Sequence, residues 1–297
     1  MKKVLVIGSK ESGTKNDPQV ISKTLQNAGL KAEFIEWEKL VFSIKTGEVS
    51  VSFSGIELSE MVPDLVIAVG WYNPSIKSNY REVSLTLGLY LEQNNINYWN
   101  SEMSKQRSTG KLSCLCMLAL HGIHITQTTY SLSGDLIAPL EDFPVIIKAT
   151  AASRGSSNHL VRSIDQAKRL LGEIPNRMIV QPYIKNDHDL RVIMIGGRAA
   201  KVLKRYRSDD KSHLNNTSQG GSAHWLDPRE VGDSLLTICE KICKIMNREM
   251  AGIDFIPDDS SPYGYSCLEV NSIPQLTSGF DVEAKMNALV KSVKDNN

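Results

Sequence analysis

Short apolar runs alternate with amphipathic stretches through the first hundred residues, and this alternation constrains the fold more than any other feature of the chain. A run of four to six apolar residues between polar turns predicts a buried strand, and apolar residues spaced three or four apart predict a helix. The predicted elements are strands in KVLVIG, AEFIEW, DLVIAVG and INYW, with helices over Pro18–Ala28 and Tyr80–Gln93. Such alternation predicts a mainly parallel sheet that is covered by helices.

Two short motifs in this region raise the question of a nucleotide-binding loop. GSKESG (8–13) lacks the full GxGxxG spacing of a dinucleotide-binding turn, so we interpret it as an ordinary turn of a Rossmann-like lobe. STGKLS (108–113) resembles a phosphate-binding P-loop only superficially. Lys105 stands where that loop has its first glycine, and Leu112 stands where Ser or Thr is required. We therefore reject a P-loop here.

The rest of the chain mixes strands and helices in a different order. GKLSCLCMLALHG predicts a helix, and it is followed by the strand-like runs ITQTTYSL, FPVIIKAT and RMIVQPYI. DLRVIMI and RAAKVLKRYR then predict a hairpin, because Gly196 and Gly197 form a two-residue turn of the type that needs positive φ. A helix that ends near Asn247 and the strands AGIDFI and YSCLEV complete the predicted elements.

Composition and charge exclude several classes of protein. The formal net charge is +1 and no long basic block is present, so the electrostatic footprint of a nucleic-acid-binding protein is missing. The five cysteines lack CxxC spacing, and an odd set of this kind predicts free thiols in a reducing compartment and not a zinc site. No apolar run is long enough to span a bilayer, and we expect a cytoplasmic protein without a membrane partner.

The last two predicted strands carry acidic side chains in apolar surroundings. Glu269 and Asn271 share one face of their strand, while Leu268 and Val270 share the other. A carboxylate in such a strand is costly to desolvate, so a cation or a hydrogen-bond donor should meet it. The short connection makes the strand of Asp254 its antiparallel neighbour. Two carboxylates and an amide suit Mg²⁺; alternatively, Asp254 caps a turn and Glu269 pairs with a basic residue.

A lysine precedes a loop of small residues in the middle of the chain. Lys148 ends the strand FPVIIK, and ATAASRGSSN follows at once. Unobstructed backbone amides beside a lysine could hold a phosphate. A solvated lysine before an ordinary flexible loop is the alternative interpretation.

Eight features follow one another along the chain in a definite order. They are Lys111 on a predicted helix after the strand end at Asn100; the strand lysine Lys148; the loop Ser153, Arg154, Gly155, Ser156 and Ser157; the run Gln181, Pro182, Tyr183 and Ile184; the Asp-x-Arg pair Asp189 and Arg191; Arg205 beside Lys204; Asn216 ahead of Gly220 and Gly221; and Asp254, Glu269 and Asn271.

In this order the features resemble the ATP-grasp superfamily, and in particular its RimK-like branch of carboxylate-amine ligases, which includes ribosomal-protein glutamate ligase and, further off, glutathione synthetase. The resemblance covers nearly the whole chain. It implies an α/β protein with the ATP-grasp fold, in which an N-terminal Rossmann-like lobe (1–102) precedes two α+β lobes (103–180 and 181–297) that clasp ATP.

The resemblance also implies a reaction, with ATP and Mg²⁺ as cofactors and Mn²⁺ as an alternative metal. A substrate carboxylate attacks the γ-phosphate of ATP, an amine attacks the resulting acyl phosphate, and an amide or peptide bond forms with release of ADP and phosphate. Arg191 and Arg205 act on the transferred phosphoryl group, and Asp254, Glu269 and Asn271 hold the metals. The implied nucleotide-binding residues are Lys111, Lys148, Ser153–Ser157, Gln181–Ile184, Asp189, Lys204 and Asn216.

Some details leave alternatives open. The hairpin turn predicts Asp189 opposite Lys204, and it places Arg191 and Arg205 on opposite faces unless a bulge intervenes. Ser157 replaces a glycine of the family's phosphate loop, and Pro182 removes a backbone donor from the adenine hinge. These two departures favour a catalytically weak ATP-binding module as an alternative function. An ATP-grasp-type kinase, which the sequence does not exclude, is another alternative. The sequence does not identify the acid and amine substrates, and it leaves a homo-oligomer open.

Overall fold

A computed structural model of the chain describes residues 1–9, 17–69, 80–100, 110–131, 142–150, 158–173, 178–207, 215, 221–272 and 274–295. Within these residues the strands form four sheets. None of the helices in the described ranges combines the length and the apolarity that a membrane span requires.

The N-terminal part contains two of the sheets. Its elements are β1 (Lys3–Gly8), α1 (Pro18–Asn27), β2 (Lys31–Glu36), β3 (Leu40–Lys45), β4 (Glu48–Phe53), β5 (Ile56–Glu57), β6 (Leu65–Ala68), α2 (Tyr80–Gln93) and β7 (Tyr98–Trp99). The parallel sheet has the order β2-β1-β6-β7, and β3, β4 and β5 form an antiparallel sheet. The parallel sheet predicted for this region is confirmed.

The central strand β1 is buried on both faces, as parallel strands usually are. The side chains from Val4 to Ile7 are completely inaccessible to solvent. At the end of the strand, a Cβ atom on Gly8 would lie 2.6 Å from Pro18 Cβ and 2.7 Å from the Val69 carbonyl oxygen. Only glycine therefore allows β1, α1 and the end of β6 to approach so closely.

The middle of the chain forms a smaller sheet. It contains α3 (Lys111–Leu120), β8 (Thr129–Tyr130), β9 (Val145–Ala149), β10 (Asn158–Val161), α4 (Ile164–Glu173) and β11 (Met178–Pro182), with the strand order β10-β9-β11-β8. β11 crosses residue 180, where the sequence predicts a domain boundary.

The C-terminal part forms an antiparallel sheet of five strands. Its elements are β12 (His188–Ile195), β13 (Arg198–Tyr206), β14 (Ser222–Leu226), α5 (Asp233–Met246), β15 (Ala251–Pro257), β16 (Tyr265–Asn271) and α6 (Val282–Asp295). The strand order is β14-β13-β12-β15-β16. Gly196 and Gly197 have φ values of +63° and +75°, which confirms the predicted hairpin turn. The sequence patterns did not predict β14, α4 or α6.

The two faces of this five-stranded sheet differ in chemistry. One face packs against α5 through apolar side chains such as Leu190, Val192 and Phe255. On the other face, Ile193 and Ile195 join the buried cluster of α1, α6 and the parallel sheet, while Asp189 and Arg191 lie further along β12. The polar end of this second face carries the candidate site.

One exposed valine has a backbone conformation that valine rarely adopts. Val62 has φ +47° and is 75 % exposed. A β-branched residue in the left-handed region is strained, whereas asparagine visits this region routinely. We expect Val62→Asn to raise the free energy of unfolding by about 1 kcal/mol, measured by urea denaturation. Val41→Asn, at a 62 % exposed position in β3, is the matched control and should bring no gain. Equal effects in both variants would refute the strain.

Candidate active site

Two arginines and two aspartates form the centre of the candidate site, on the polar end of the five-stranded sheet. Arg191 donates from Nε to Asp254 Oδ1 at 2.7 Å and from Nη2 to Asp254 Oδ2 at 2.6 Å. Arg205 binds Asp189 through two similar hydrogen bonds of 2.6 and 2.9 Å. Nη2 of Arg205 also lies 3.5 Å from Asp254 Oδ1. The buried Asp254 carboxylate therefore lies between two guanidinium groups.

A β-bulge brings these two arginines to the same face. Near the turn the pairing follows the prediction, with Ile195 opposite Arg198, but the register shifts between Ile193 and Met194. Beyond the shift, Asp189 lies opposite Arg205. The prediction that Asp189 lies opposite Lys204 is therefore wrong. The sequence predicts Arg191 and Arg205 on opposite faces unless a bulge intervenes, and the structure has that bulge. The extra residue turns every later side chain of β13 to the other face, which brings Arg205 to the face of Arg191.

The charges of this cluster act on one another strongly. Burial alone would raise the pKa of Asp254, but Arg191 and Arg205 outweigh burial and hold this pKa below its usual value. Burial raises the pKa of Asp189, and Arg205 opposes that rise. Burial lowers the pKa of Arg205, but Asp254 and Asp189 outweigh it and raise this pKa above its usual value. Asp254 is thus an ionised carboxylate at neutral pH.

Glu269 has the positive partner that its sequence context requires. Lys111 Nζ lies 2.9 Å from Glu269 Oε2, and both side chains are about a quarter exposed. Lys111 is the first residue of α3, and α3 packs against β16, which carries Glu269. The expected cation beside Glu269 is confirmed.

Lys148 reaches the same charges from the neighbouring sheet. It lies on β9, where it is opposite Asn158 on one side and Ile179 on the other. Burial and then the charge of Lys111 lower the pKa of Lys148 to about 8, while Glu269 and Asp254 oppose this change. An anionic ligand beside Lys148 would raise this pKa again, because a nearby negative charge favours the charged form of the amine.

The three predicted metal ligands lie on one face of β15 and β16. Asp254 is opposite Glu269, and Asn271 is opposite Gly252, which is two residues before Asp254. In the described residues no group of three or more His, Cys, Asp and Glu side chains forms a metal site, and the third ligand here would be the amide of Asn271. Two carboxylates and an amide oxygen are hard ligands that suit Mg²⁺, so the donor set fits this ion.

A second bulge corrects one detail of β16. Phe255 pairs with Cys267 and Asp254 with Glu269, so Leu268 is the extra residue between them. Cys267, and not Leu268, joins Val270 in the buried cluster against α5. The prediction that Leu268 shares the buried face with Val270 is therefore wrong.

The predicted adenine hinge begins in the last two residues of β11, and three of its polar groups are used inside the protein. Gln181 is buried and donates from Nε2 to Thr128 Oγ1 at 2.8 Å. The backbone N–H of Tyr183 donates to the Pro144 carbonyl, and the Ile184 carbonyl accepts from the Asn186 side chain. Pro182 ends the strand and is exposed. The hinge assignment stays a prediction.

The structure separates one predicted residue from this cluster. Lys204 precedes Arg205 in β13, so its side chain lies on the opposite face of the sheet. There its Nζ lies 5.4 Å from the centroid of the Tyr206 ring. The predictions for Ser153, Arg154, Gly155, Ser156, Ser157 and Asn216 fall outside the described residues.

Two residues that support the site were not predicted in these roles. Asn100 accepts a hydrogen bond from the backbone N–H of Met250 at 2.8 Å and donates to the Ser272 carbonyl at 3.2 Å. It therefore joins the end of β7 to the ends of β15 and β16. Gln275 accepts from Nη1 of Arg191 at 3.3 Å. No sequence signal identifies Gln275 in this role. Asn100 is signalled by its place at the end of a predicted strand, and in the structure its φ is +64°.

Comparisons with known proteins agree on one family. The model of the RimK-like ATP-grasp domain matches residues 108–294. A probable alpha-L-glutamate ligase from Aeromonas salmonicida (strain A449) is 25 % identical over 280 residues, which cover 88 % of this chain and 87 % of that protein. Beta-citrylglutamate synthase B from Mus musculus is 26 % identical over 239 residues, 76 % of this chain and 59 % of that protein.

Solved structures show the same fold. The structure of the ATP-grasp ligase PsnB complexed with a phosphomimetic variant of minimal precursor, Mg and ADP has a TM-score of 0.70 at 15 % identity, with 99 % of both chains covered. D-alanyl-alanine synthetase A from Vibrio cholerae O1 biovar eltor str. N16961 has a TM-score of 0.60 at 14 % identity, with 99 % of this chain and 97 % of that chain covered. The predicted ATP-grasp fold is confirmed.

The buried pair of Arg205 and Asp189 yields a prediction about stability. We expect Arg205→Met to lower the free energy of unfolding by about 3 to 5 kcal/mol, because it leaves a buried carboxylate without its partner. The matched control is Arg229→Met, which breaks a pair with Asp227 of similar geometry (2.8 and 2.9 Å) on the surface. That control should leave stability unchanged. Equal losses in urea denaturation of both variants would contradict the prediction.

Proposed function

The chain belongs to the RimK-like ATP-grasp family, and from this premise we propose that it is an ATP-dependent carboxylate-amine ligase. It activates a substrate carboxylate with ATP and joins it to an amine in an amide or peptide bond, releasing ADP and phosphate. The observation that carries the proposal is the face on which Arg191, Arg205, Lys111 and Lys148 surround the carboxylates of Asp254 and Glu269.

This arrangement suits phosphoryl transfer better than nucleophilic catalysis by the protein. Transfer of the γ-phosphoryl group depends mainly on positioning and on neutralising charge, for which lysines, arginines and metal-binding carboxylates are suited. Among the described residues of this face there is no hydroxyl or thiol nucleophile paired with a histidine. The covalent steps therefore belong to the substrates.

The substrates supply the atoms that react. An oxygen of the substrate carboxylate attacks the γ-phosphorus, the bond to the β-phosphate breaks, and an acyl phosphate and ADP result. The amine nitrogen then attacks the acyl carbon, phosphate leaves, and the amine loses a proton. We assign Lys111 and Lys148 to the nucleotide phosphates and Arg191 to the transferred phosphoryl group. Arg205 acts from behind Asp254, because two of its donors are held by Asp189.

We assign the metal to Asp254, Glu269 and Asn271, whose oxygens fit Mg²⁺. A bound Mg²⁺ would neutralise phosphate charge and orient the phosphoryl group for attack. Asp254 already accepts two hydrogen bonds from Arg191, and Nη2 of Arg205 approaches Oδ1, but Oδ2 keeps a second lone pair for a metal. Arg191 therefore fixes the orientation of this ligand.

The amine substrate in this proposal is an amino acid, since the curated relatives of similar length are named glutamate ligases. The acid is a small carboxylate or a peptide. We also propose the lobes 1–102, 103–180 and 181–297 and a cytoplasmic location, since the sequence predicts both.

ADP release from Mg²⁺-ATP, screened against paired acids and amino acids with mass spectrometry of the products, tests the function. A ligase releases ADP over many turnovers only when both substrates are present, together with a product one water lighter than their sum. A phosphoester without condensation would instead identify a kinase. ATP binding without any turnover would identify a non-catalytic module.

Glu269 provides a first prediction for this reaction. We expect Glu269→Gln to abolish ADP release while the protein stays folded, because the change removes a metal-binding charge but almost no volume. Glu57→Gln is the matched control, since Glu57 accepts hydrogen bonds from Ser59 and Tyr90 in the N-terminal part. Normal turnover by Glu269→Gln in the presence of Mg²⁺ would refute the metal assignment.

Lys148 provides a second prediction, which concerns protons. With a pKa of about 8, Lys148 is only partly charged at pH 8. A bound phosphate raises this pKa and restores the full charge. We therefore expect nucleotide binding at pH 8 to take up protons, measured as a dependence of the binding enthalpy on the ionisation enthalpy of the buffer. Lys148→Arg stays charged and should lose this uptake. Equal uptake by both proteins would refute a phosphate contact by Lys148.

A further inference from the structure

The segment from Pro274 to Asp281, between β16 and α6, connects the candidate site to the N-terminal part of the chain. Leu276 is completely buried in the cluster of α1, α6 and the parallel sheet. Thr277 Oγ1 accepts a hydrogen bond of 2.7 Å from the backbone N–H of Asp17, the residue that caps α1. The segment is therefore fixed on the side that faces away from the site.

A buried lysine fixes the same segment from within. Lys285, in the first turns of α6, is 3 % exposed, and its Nζ donates to the carbonyls of Gln275 and Ser278 at 2.6 Å each. Among the described residues no carboxylate lies within ion-pair distance of it. Burial lowers the pKa of Lys285 to about 8, Asp281 opposes that change, and Arg191 adds to it. A buried ammonium that is held only by carbonyls costs free energy, so its position has to be explained.

Gln275 is the residue that this lysine holds in an unusual conformation. Its φ is +60°, in the left-handed region that glycine occupies without strain. Its side chain extends over Gly279, where a Cβ atom would lie 3.9 Å from Gln275 Oε1, and this oxygen accepts from Nη1 of Arg191. The strained backbone thus presents an amide to the arginine of the site.

Arg191 has its donor groups on two sides. Nε and Nη2 bind Asp254, and Nη1 binds Gln275. The two parallel hydrogen bonds to one carboxylate set the orientation of the guanidinium on that edge. The hydrogen bond from Nη1 to Gln275 adds a third contact away from Asp254, which opposes tilting of the group about the carboxylate.

We propose that Lys285 is a positioning residue for Arg191 and acts through Gln275. Its two hydrogen bonds close the turn that places the Gln275 amide against Nη1, and this contact fixes the guanidinium beside Asp254. This role deepens the proposed function, on which its kinetic test rests. The competing explanation is that Lys285 only stabilises the turn and has no effect on Arg191.

Two variants and one control distinguish these explanations. Lys285→Met removes both hydrogen bonds, and Lys291→Met is the matched control, because Lys291 is an exposed lysine of the same helix. Gln275→Gly removes the side chain and also relieves the left-handed strain, so it should raise the melting temperature.

We expect Lys285→Met and Gln275→Gly each to lower kcat about tenfold, as a displaced catalytic group does, while the dissociation constant of ATP stays unchanged. The double variant should be no slower than the slower single variant, because both act on one contact. Unchanged kcat in Gln275→Gly, or kcat losses that multiply in the double variant, would overturn the proposal.

A second readout does not depend on the proposed function. The side-chain Nε–H signal of Arg191 in ¹⁵N NMR spectra, assigned by its loss in Arg191→Lys, reports the orientation of the guanidinium. We expect this signal to shift in Lys285→Met and in Gln275→Gly but not in Lys291→Met. An unmoved signal in the first two variants would overturn the positioning role, even if no acid and amine pair supports turnover.

Discussion

The site depends on the burial of one carboxylate, Asp254, between two guanidinium groups. An isolated buried carboxylate becomes protonated, because desolvation disfavours its charge. Arg191 and Arg205 reverse this tendency, and the pKa of Asp254 stays below its usual value. Arg205 is balanced in turn by Asp189. The desolvation of these charges is completed when the protein folds, so a ligand that enters meets dipoles and charges that are already oriented.

This balance of charges is possible only because the sheet has two irregular registers. One bulge turns Arg205 to the face of Arg191, and the other keeps Asp254 opposite Glu269 while Cys267 points to the core. With regular pairing, Arg205 would lie on the face that packs against α5, away from Asp189 and Asp254. Bulges near functional sites aim side chains in this way.

The sequence predicted the elements of this site better than their register. Period-two patterns identified the strands of Asp254 and Glu269, and a buried acid required the cation that Lys111 supplies. The bulge in β13 leaves no comparable signal, because Ala200, its extra residue, suits a regular strand equally well. In the N-terminal part, β3 and β4 were not predicted, although the glycine of the short turn between them, Gly47, is a readable hairpin signal. The helix α6 was missed because a buried lysine, Lys285, interrupts its apolar pattern.

Contacts that are distant in sequence hold the strand ends of the site in place. Asn100 binds Met250 and Ser272, and Asp17 binds Thr277. Each of these contacts has one partner in the backbone, which cannot move away by changing a rotamer. The N-terminal part therefore holds the start of β15 and the end of β16, the two strands that carry Asp254 and Glu269. Asp17 and Asn100 have no part in the steps of the proposed reaction, and they affect the site only through the positions of the segments that they bind.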